Sequence, residues 1–475
     1  MSFASRDFFI FLPIVLLTYN ALHTRAHKFR FLLLASWFFY MWWNAWLIGI
    51  ILFTSVVDFA AGLLIERAVT ARQRRAWLLV SLASNLGFLG IFKYTTFLVT
   101  NGLALARAVN WPVPDWTLHI ILPIGISFHT FQGISYTMEV YRGQIRAVRS
   151  FPDFALFIAF FPQLVAGPIV RASQFLPQMA TPPPVRARQI DEGLHWFVGG
   201  LFKKVFIADQ LAQFVDLVFA HPQLYDAATH RWAVLAYAGQ VYCDFSGYSD
   251  MAIGCAKWFG FELPLNFNLP YLASSIADFW RRWHMTLSAW LRDYLYIPLG
   301  GNRRGAHRTY FNLIVTMTLC GLWHGASWNY AAWGLYNGVL VAAHRAYDLT
   351  LRGRPWADRW RAGSAYTLIA TAVTLLLVLL GFVLVRSESW AGCWLMQRSL
   401  IGWNAAAAGE HWVPVWVPAL VGMVAVGHFL GALRGYGYRL LELAPSVRAA
   451  VYVAAVVLLV VFGPWTSKSF IYFQF

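Results

Sequence analysis

Two histidines lie in segments that are otherwise rich in apolar and aromatic residues. His324 falls between two apolar runs, inside the stretch Trp323-His-Gly-Ala-Ser-Trp328, and His284 lies in a polar segment that precedes it. Imidazole is the side chain whose ordinary pKa lets it exchange protons near neutral pH. An ionisable group between membrane-buried segments is a functional hypothesis by default. A lone histidine would favour a structural role, but a pair among tryptophans favours a site.

The polar segment 276–308 is predicted to begin with one helix, from Ile276 to Ile297, that ends at the following proline and glycines. Positions i, i+3, i+7 and i+11 of this helix share one face: Arg281, His284, Ser288 and Arg292. Asp278 is expected to pair with Arg281 or Arg282 one turn later. The alternative is a basic amphipathic helix that lies on anionic lipid.

A hairpin of two apolar runs, 309–323 and 328–343, is predicted to position His324. Each run of about 15 residues would give about 22 Å of helix, short of the roughly 30 Å hydrocarbon core. Basic residues favour the cytoplasmic side for both outer ends of the hairpin: Arg303, Arg304, Arg308 and Arg345. The hairpin would then enter from the cytoplasm and hold His324 at depth, where irregular backbone needs surrounding protein or a water-filled cavity.

A third polar cluster, 240–250, lies inside the apolar run 232–258 and contains Asp244, Ser246 and Asp250. Carboxylates within a membrane span are costly unless they are paired or face water. We expect Asp244 and Asp250 to support the site by pairing with arginines of the polar segment: Arg281, Arg282 or Arg292. A proton or ion path is the alternative. The neighbouring Lys203 and Lys204 likewise need partners or a cavity.

The composition identifies the class of protein that must hold these groups. The chain has 475 residues, 59% hydrophobic and only 12% charged, with 24 tryptophans and a formal charge of 37 − 21 = +16. Soluble domains carry about twice that share of charge, and disorder requires low hydrophobicity. The four scattered cysteines exclude a disulfide scaffold and show no metal spacing. No phosphate-binding loop or serine nucleophile elbow is present. An all-α polytopic membrane protein remains.

Apolar runs predict about 11–13 transmembrane or re-entrant helices in a single membrane-embedded domain, 1–475. The core motifs lie in 160–345, and 1–150 and 360–475 supply peripheral helices. The runs are 8–22, 31–43, 45–65, 77–100, 117–140, 151–169, 193–219, 232–258, 309–323, 328–343, 364–385, 413–433 and 449–465. The segment 161–171 is predicted to break a helix with its prolines and glycine, and His129 to be a packed core residue.

The distribution of arginine and lysine predicts the orientation of the chain. The loops 23–30, 66–76, 142–150 and 345–361 each hold three or more basic residues, whereas 101–116, 220–231 and 386–412 hold one or two. The rich loops are therefore expected in the cytoplasm, and both termini in the periplasm. Because the basic residues are divided among loops, they do not predict a nucleic-acid surface.

Five segments together resemble the membrane-bound O-acyltransferase (MBOAT) superfamily, and within it the bacterial alginate O-acetylation branch. They are 161–171 (FPQLVAGPIVR), 244–254 (DFSGYSDMAIG), 266–303 (including FWRRWHMTLSAWLRDYLYIPLGGNR), 322–338 (LWHGASWNYAAWGLYNG) and 470–475 (FIYFQF). The resemblance spans nearly the whole chain. It implies a bundle of helices around a central funnel, with His324 as the catalytic histidine and His284 at the second signature position.

The resemblance also implies a reaction, in which an acetyl group passes from cytoplasmic acetyl-CoA across the bacterial inner membrane to a periplasmic acetyltransferase partner. That partner would modify an exported polysaccharide such as alginate. His324 would be the general base, and His284 would orient the thioester or stabilise the oxyanion. We expect no bound cofactor or metal. Residues expected to bind the substrate are Arg281, Arg282, Ser288, Arg292, Arg303, Trp323 and Asn329, and those expected to support the site are Asp244, Ser246, Asp250 and Asp278; Arg304 would also meet the CoA phosphates.

Alternatives remain open within and outside this family. Relatives in the bacterial branch act on cellulose, peptidoglycan or, with D-alanine from a carrier protein, teichoic acids, and fold alone does not choose among them. A transporter that moves its substrate without covalent chemistry would also contain intramembrane polar residues and broken helices. Such a transporter often shows two related halves, which this sequence lacks.

Overall fold

A computed structural model describes residues 1–113, 120, 122–180, 185–403, 409–434, 439–463 and 470–471. Helices make up 79% of the described residues, which contain no strand beyond one isolated bridge between Tyr225 and Glu410. The all-α class predicted from composition is confirmed. The sequence runs 117–140 and 470–475 lie partly outside the described residues.

The α-helices follow the predicted apolar runs closely. In chain order they are α1 (Arg6–Ala21), α2 (Arg25–Met41), α3 (Ile48–Arg67), α4 (Ala71–Leu89), α5 (Thr95–Ala108), α6 (Ile126–Tyr141), α7 (Phe151–Ala159), α8 (Phe161–Leu164), α9 (Ala172–Ala180), α10 (Ala187–Leu201), α11 (Asp209–Ala220), α12 (Ala227–Trp258), α13 (Ile276–Arg282), α14 (Met285–Leu291), α15 (Gly305–His324), α16 (Trp328–Leu351), α17 (Pro355–Arg361), α18 (Ser364–Arg386), α19 (Trp390–Leu400), α20 (Trp416–Arg434) and α21 (Pro445–Phe462). Three π-helical turns interrupt or extend them: Gly90–Tyr94, Phe202–Ala208 and Arg292–Tyr296.

Five helical stretches among the described residues are long and apolar enough to cross a bilayer: Ala45–Arg67, Ala71–Ala108, Ser364–Arg386, Trp416–Leu433 and Pro445–Phe462. Their outward-facing side chains include many exposed apolar residues, such as Leu368, Phe429 and Val460. A water-soluble protein rarely exposes apolar surface on this scale. The chain is therefore a polytopic membrane protein.

The chain packs as two compact units, the first of which comprises Met1–Gly193 and Cys255–Pro264. Its helices α3, α4 and α6 are joined by a buried polar cluster, in which the carboxylate of Asp58 accepts from Ser81 Oγ (2.6 Å) and Asn85 Nδ2 (2.8 Å). Ser81 also meets Thr137 at 2.9 Å. His129 is 1% exposed on α6, as expected of a packed core histidine.

The segment 161–171 ends a helix, as the prolines predicted. α7 stops at Ala159, α8 provides a single turn, and the chain then runs without regular structure to α9. Gly167 is required by close packing here, because a Cβ at this position would lie 2.5 Å from Gln163 Cα. The side chain of Gln163 donates to the carbonyl of Phe157 at 2.6 Å and so ties the break to the preceding helix.

The second unit comprises Leu194–Gly254 and Leu265–Phe475 and contains both histidines. Its hairpin, α15 and α16, packs through small residues: a Cβ on Gly334 would lie 2.5 Å from the carbonyl oxygen of Met317, and one on Gly338 would lie 2.8 Å from Ile314 Cα. Small residues allow helices in membranes to approach this closely. The single-domain interpretation of the chain stays a prediction.

The arms of the hairpin are longer than the apolar runs indicated. α15 has 20 residues and α16 has 24, so α15 alone extends about 30 Å, the thickness of the hydrocarbon core. The expectation of short arms was wrong, because helical backbone continues through the basic residues at both outer ends. The predicted turn after His324 is confirmed.

Candidate active site

His284 does not lie within a continuous helix. α13 ends at Arg282, α14 begins at Met285, and His284 between them has φ +43° and ψ +54°. A non-glycine residue in this left-handed region is uncommon, and such strained positions cluster at functional sites. The predicted helix from Ile276 to Ile297 was therefore wrong at this point, and so was the shared polar face that it implied.

The break turns His284 inward and leaves its supposed neighbours outside. His284 is 0% exposed, whereas Arg281 and Arg292 are exposed and Ser288 is half-buried. Ser288 Oγ points back to the carbonyl of Trp283 at 3.5 Å. The histidine is thus separated from the arginines with which the helical spacing had grouped it.

Asn266 holds the break in place from a loop that precedes it in the chain. Its backbone carbonyl accepts from Met285 N (2.9 Å), and its side-chain oxygen accepts from Thr286 Oγ1 (2.7 Å). Its amide donates to Ser249 Oγ on α12 at 3.2 Å. Asn268 N also donates to the carbonyl of Arg282 at 2.9 Å. These bonds satisfy the backbone groups that the interrupted helix leaves open.

His324 is the last residue of α15, and the following turn is short. Ser327 caps α16, its hydroxyl accepting from Tyr330 N at 3.4 Å. The Cβ of any residue replacing Gly325 would overlap the ring of Tyr330, so glycine is required there. His324 is 7% exposed. The helix end and the tight turn therefore fix the imidazole at the head of the hairpin.

The structure brings the two histidines together. Their ring centroids lie 6.2 Å apart, at an interplanar angle of 59°. Aromatic rings surround the pair: Phe245 lies edge-on to His284 at 4.6 Å, and Trp333 lies edge-on to His324 at 5.2 Å. Trp323 contacts both imidazoles, at 6.1 Å and 4.9 Å. An apolar enclosure of this kind favours neutral imidazole, the form able to accept a proton.

A small cavity of about 40 Å³ adjoins His324. It is lined by Tyr237, Val241, Trp283, His324, Tyr330, Trp333, Phe382, Val385 and Ile471. The walls are mostly apolar and aromatic. A group that reached this cavity would meet His324 in an environment that holds little water.

A larger cavity of about 700 Å³, here called the polar vestibule, shares two wall residues with the first: Val385 and Ile471. Its other walls carry charged and polar side chains, including Lys204, Asp209, Gln240, Asp244, Asp216, Arg386, Glu388, Ser327 and Asn329. Arg386 pairs with Asp216 at 2.7 Å. The vestibule is thus a polar compartment next to the histidine cavity.

Asp244 and Asp250 pair with lysines and not with arginines. Lys204 forms ion pairs with Asp244 and with Asp209 (2.9 Å), and Lys203 forms one with Asp250. The expected pairing with Arg281, Arg282 or Arg292 was wrong, because those arginines bond to other carboxylates. Asp244 and Asp250 lie on α12, and the π-helical turn Phe202–Ala208 presents both lysines to them. The need of Lys203 and Lys204 for partners is met here.

The arginines of the polar segment lie at the surface. Asp278 accepts from Arg282 Nε at 2.8 Å and from Arg281 at 3.5 Å, so the predicted pairing of Asp278 is confirmed for both. Arg292 bonds to Asp293 at 2.7 Å, which raises the pKa of its guanidinium. Arg303 and Arg304 are exposed beside the start of α15. Their role in binding phosphate stays a prediction.

Three further predicted residues lie near the hairpin turn or on α12. Trp323 is buried against both imidazoles, as described above. Asn329 is half-buried, lines the polar vestibule and donates to the carbonyl of Ser387 at 2.8 Å. Ser246 is 0% exposed, one residue after Phe245. Asn329 thus faces the vestibule.

Sequence reasoning missed Asn266, Phe245 and the segment Phe470–Ile471 as parts of the site. Ile471 N donates to Asp244 at 2.8 Å, and Phe470 lies against Tyr248 with ring centroids 4.7 Å apart. A polar asparagine between apolar residues, in Asn-Phe-Asn-Leu-Pro, was an available signal for Asn266. No local pattern indicates that residues 470–471 reach α12.

Comparisons with known proteins show which sequences this chain is similar to. The sequence profile of the membrane-bound O-acyltransferase family (MBOAT) matches residues 143–387, which include both histidines. A protein of Pseudomonas aeruginosa named probable alginate O-acetylase is 39% identical over 462 residues, which cover 94% of this chain and 85% of that protein.

Two other relatives act on different cell-envelope polymers by name. The peptidoglycan O-acetyltransferase of Helicobacter pylori is 38% identical over 84% of this chain and 79% of its own length. The teichoic acid D-alanyltransferase of Bacillus subtilis is 28% identical over 59% of this chain and 73% of its own length. The named relatives share the transfer of an acyl group and differ in the acyl group or its acceptor.

Proposed function

The chain belongs to the membrane-bound O-acyltransferase family, and from this premise we propose that it moves acetyl groups from cytoplasmic acetyl-CoA across the bacterial inner membrane for O-acetylation of an exported polysaccharide. Alginate is the first candidate, because alginate O-acetylation is the activity named for relatives 39–42% identical to the chain. The observation that carries the proposal is the buried pair of His284 and His324 beside a cavity.

In the proposed reaction His324 acts as the general base. Its imidazole takes the proton of an acceptor hydroxyl, and the hydroxyl oxygen attacks the carbonyl carbon of the acetyl thioester. As the new C–O bond forms, the C–S bond breaks, and the CoA sulfur leaves with the proton from the imidazolium. The net reaction converts acetyl-CoA and an alcohol into an acetyl ester and CoA, without an oxidant or a metal.

His284 is proposed to stabilise the negative charge that develops on the carbonyl oxygen. A donor held rigidly at such a position acts without reorganisation at the moment of reaction. The left-handed turn at His284, supported by Asn266, supplies this rigidity. Neutral histidine has one N–H to donate, which is sufficient for this role.

The donor is proposed to approach through the exposed arginines of the polar segment. CoA carries several phosphates, and guanidinium groups bind phosphate with charge-assisted, often bidentate hydrogen bonds. Arg303 and Arg304 have solvent-exposed side chains suited to this contact, with Arg281, Arg282 and Arg292 as further candidates. The proposed acceptor is a periplasmic acetyltransferase that passes the group to the polymer.

A reconstituted assay tests this proposal. The purified protein in liposomes is supplied with acetyl-CoA labelled in the acetyl group. The acceptor is either mannuronate oligosaccharides with a periplasmic alginate acetyltransferase, or peptidoglycan fragments. Label in alginate that depends on His324 supports the proposal. Label found only in peptidoglycan, the polymer of the Helicobacter pylori relative, would show that peptidoglycan and not alginate is the acceptor polymer. Transfer seen only when D-alanyl carrier protein, labelled in its alanyl group, replaces acetyl-CoA would overturn the donor.

A transporter without covalent chemistry does not fit membership of an acyltransferase family. The assay separates the two directly, because a transporter would release intact acetyl-CoA on the far side without breaking the thioester or forming an ester. Free thiol of CoA, released in step with ester formation, is the distinguishing product.

The proposed orientation has its own test, because a cytoplasmic donor requires it. In a chain freed of its four native cysteines, single cysteines at Ala71 or Asp358 should be protected in intact cells from a thiol reagent that does not cross membranes. One at Ala104 should react, as should one at Ala406, which lies outside the described residues. A cysteine at Ser327 should react slowly, through the polar vestibule. Labelling at position 358 from outside would place the hairpin the other way round and exclude the cytoplasmic donor.

A further inference from the structure

A cluster of three charged side chains lies in the wall of the polar vestibule in the second unit. Lys204, Asp209 and Asp244 are 3%, 2% and 2% exposed. The ammonium group bonds to both carboxylates, so with all three groups ionised the cluster carries one net negative charge. Buried charges are retained only when they are paired and hydrogen-bonded. A further donor to one carboxylate therefore stabilises the cluster.

The further donor is the backbone N–H of Ile471, which bonds to Asp244 Oδ2 at 2.8 Å. The preceding residue, Phe470, is 1% exposed and packs against Tyr248 (4.7 Å) and Phe245 (5.8 Å). Phe245 in turn lies edge-on to His284. Phe470 and Ile471 are thus fixed in two ways. The carboxylate of Asp244 accepts from Ile471 N. The ring of Phe470 packs against Tyr248 and against Phe245, which contacts His284.

Ile471, which bonds to Asp244, lies where it can separate the polar vestibule from His324. Its side chain lines both the small cavity at His324 and the polar vestibule, and only Val385 does the same in the described walls. A base that activates an acceptor hydroxyl also activates water. If vestibule water reached a thioester at His324, its oxygen would form the C–O bond, the C–S bond would break, and acetate, CoA and a proton would be released.

We propose that Asp244, held by Lys204, is a positioning residue that anchors Phe470–Ile471 as a water-excluding wall between the polar vestibule and His324. The inference rests on the proposed acyl transfer, since the wall protects the thioester from hydrolysis until an acceptor arrives. In this proposal the buried ion cluster ensures that acetyl-CoA is consumed only when its acetyl group is transferred to an acceptor.

The neighbouring ion pair supplies a matched control. Lys203 and Asp250 come from the same π-helical turn and from the same helix α12, and Asp250 is not among the residues that line either cavity. Asp244→Asn and Asp250→Asn each remove one negative charge next to a lysine with little change in shape. The two substitutions differ in that Asp244 accepts the hydrogen bond from Ile471 N.

The first measurement is the ratio of two rates: acetate release in the absence of acceptor, divided by acetyl transfer in the presence of acceptor. In Asp244→Asn we expect this ratio to rise roughly tenfold, equivalent to about 1.4 kcal/mol, while KM for acetyl-CoA stays unchanged. In Asp250→Asn the ratio should stay at the wild-type value. Ile471→Ala keeps the backbone bond and the charges but shortens the wall, so it should also raise the ratio. A wild-type ratio in both Asp244→Asn and Ile471→Ala would overturn the proposal.

The second measurement does not depend on catalysis. In the chain without native cysteines, Val241→Cys places a thiol in the wall of the small cavity, where Val241 is 9% exposed. A small water-soluble thiol reagent should modify it several times faster after Asp244→Asn, and at an unchanged rate after Asp250→Asn. Equal rates of thiol modification with Asp244→Asn, with Asp250→Asn and with neither substitution would contradict the proposed wall. If labelling differs as expected but wild type transfers no acetyl group, the proposed function fails and the positioning inference stands.

Discussion

Each unit of this protein contains a buried polar cluster, and the two clusters are built differently. In the first unit the carboxylate of Asp58 on α3 accepts hydrogen bonds from Ser81 and Asn85 on α4, and Ser81 also contacts Thr137 on α6. In the second unit His324 lines a cavity, and the adjoining vestibule carries charged walls. Burial of a polar group therefore does not by itself identify a reactive site. Access to a cavity, together with a partner of matching chemistry, does.

The largest expected effect concerns His324. His324→Ala should lower acetyl transfer by about 10²–10⁴, the range typical of a lost general base, while the yield of folded protein stays near that of the wild type. Transfer is measured in the reconstituted assay and folding by thermal unfolding in detergent. Near-normal transfer by this variant would remove His324 from the mechanism. The pair of His284 and His324 would then have a structural role, like the cluster around Asp58.

The second prediction separates the roles of the two imidazoles. His284→Ala should lower kcat by about 10²–10³, as expected for the loss of one oxyanion donor, and leave measurable residual activity. His284→Asn, which restores a donor, should recover part of the loss. If both substitutions only lower the melting temperature and leave kcat intact, the left-handed turn is structural.

The third prediction tests the opposite side of the comparison. Asp58→Ala removes the acceptor for Ser81 and Asn85 and should lower the free energy of unfolding by about 1–3 kcal/mol, because buried donors are left unsatisfied. The activity of the molecules that remain folded should not change. Thermal unfolding and turnover per active site give the two values. A large loss of kcat without loss of stability would show that the first unit takes part in the chemistry.

The smallest expected effect lies at the surface, outside both clusters. Arg303→Ala should raise KM for acetyl-CoA severalfold with kcat unchanged, because phosphate contacts stabilise the bound substrate and the transition state alike. Arg359→Ala on the exposed helix α17 removes the same charge and should leave KM unaltered. A lowered kcat with unchanged KM for Arg303→Ala would assign this arginine to architecture.

The sequence predicted the helical spans and the turn at His324 because both follow from local patterns. Apolar runs mark the helices, and Gly325 between Trp323 and Trp328 marks the turn. The break at His284 was not predictable in this way, since no proline or glycine stands there. It is imposed by hydrogen bonds from Asn266, which lies in a separate loop.

The partners of the buried carboxylates escaped prediction for a related reason. Asp244 and Asp250 had several basic residues within reach of a helical bundle, and sequence distance does not choose among them. The structure selects Lys204 and Lys203 because a π-helical turn aims two consecutive side chains at one helix. The contact of Ile471 with Asp244 joins residues 227 positions apart, which only the tertiary fold reveals.

The π-helical turn Phe202–Ala208 also limits which changes in chain length this protein tolerates. Adjacent residues of a regular α-helix point roughly 100° apart, and the wider turn lets Lys203 and Lys204 both reach α12. Loss of a single residue within it would restore regular helix and rotate α10 against α11 by roughly the same angle. Substitutions at the half-buried positions of this turn should therefore be accepted in homologues more readily than one-residue deletions, which should be rare. We expect the length of this turn to be conserved more strictly than its composition.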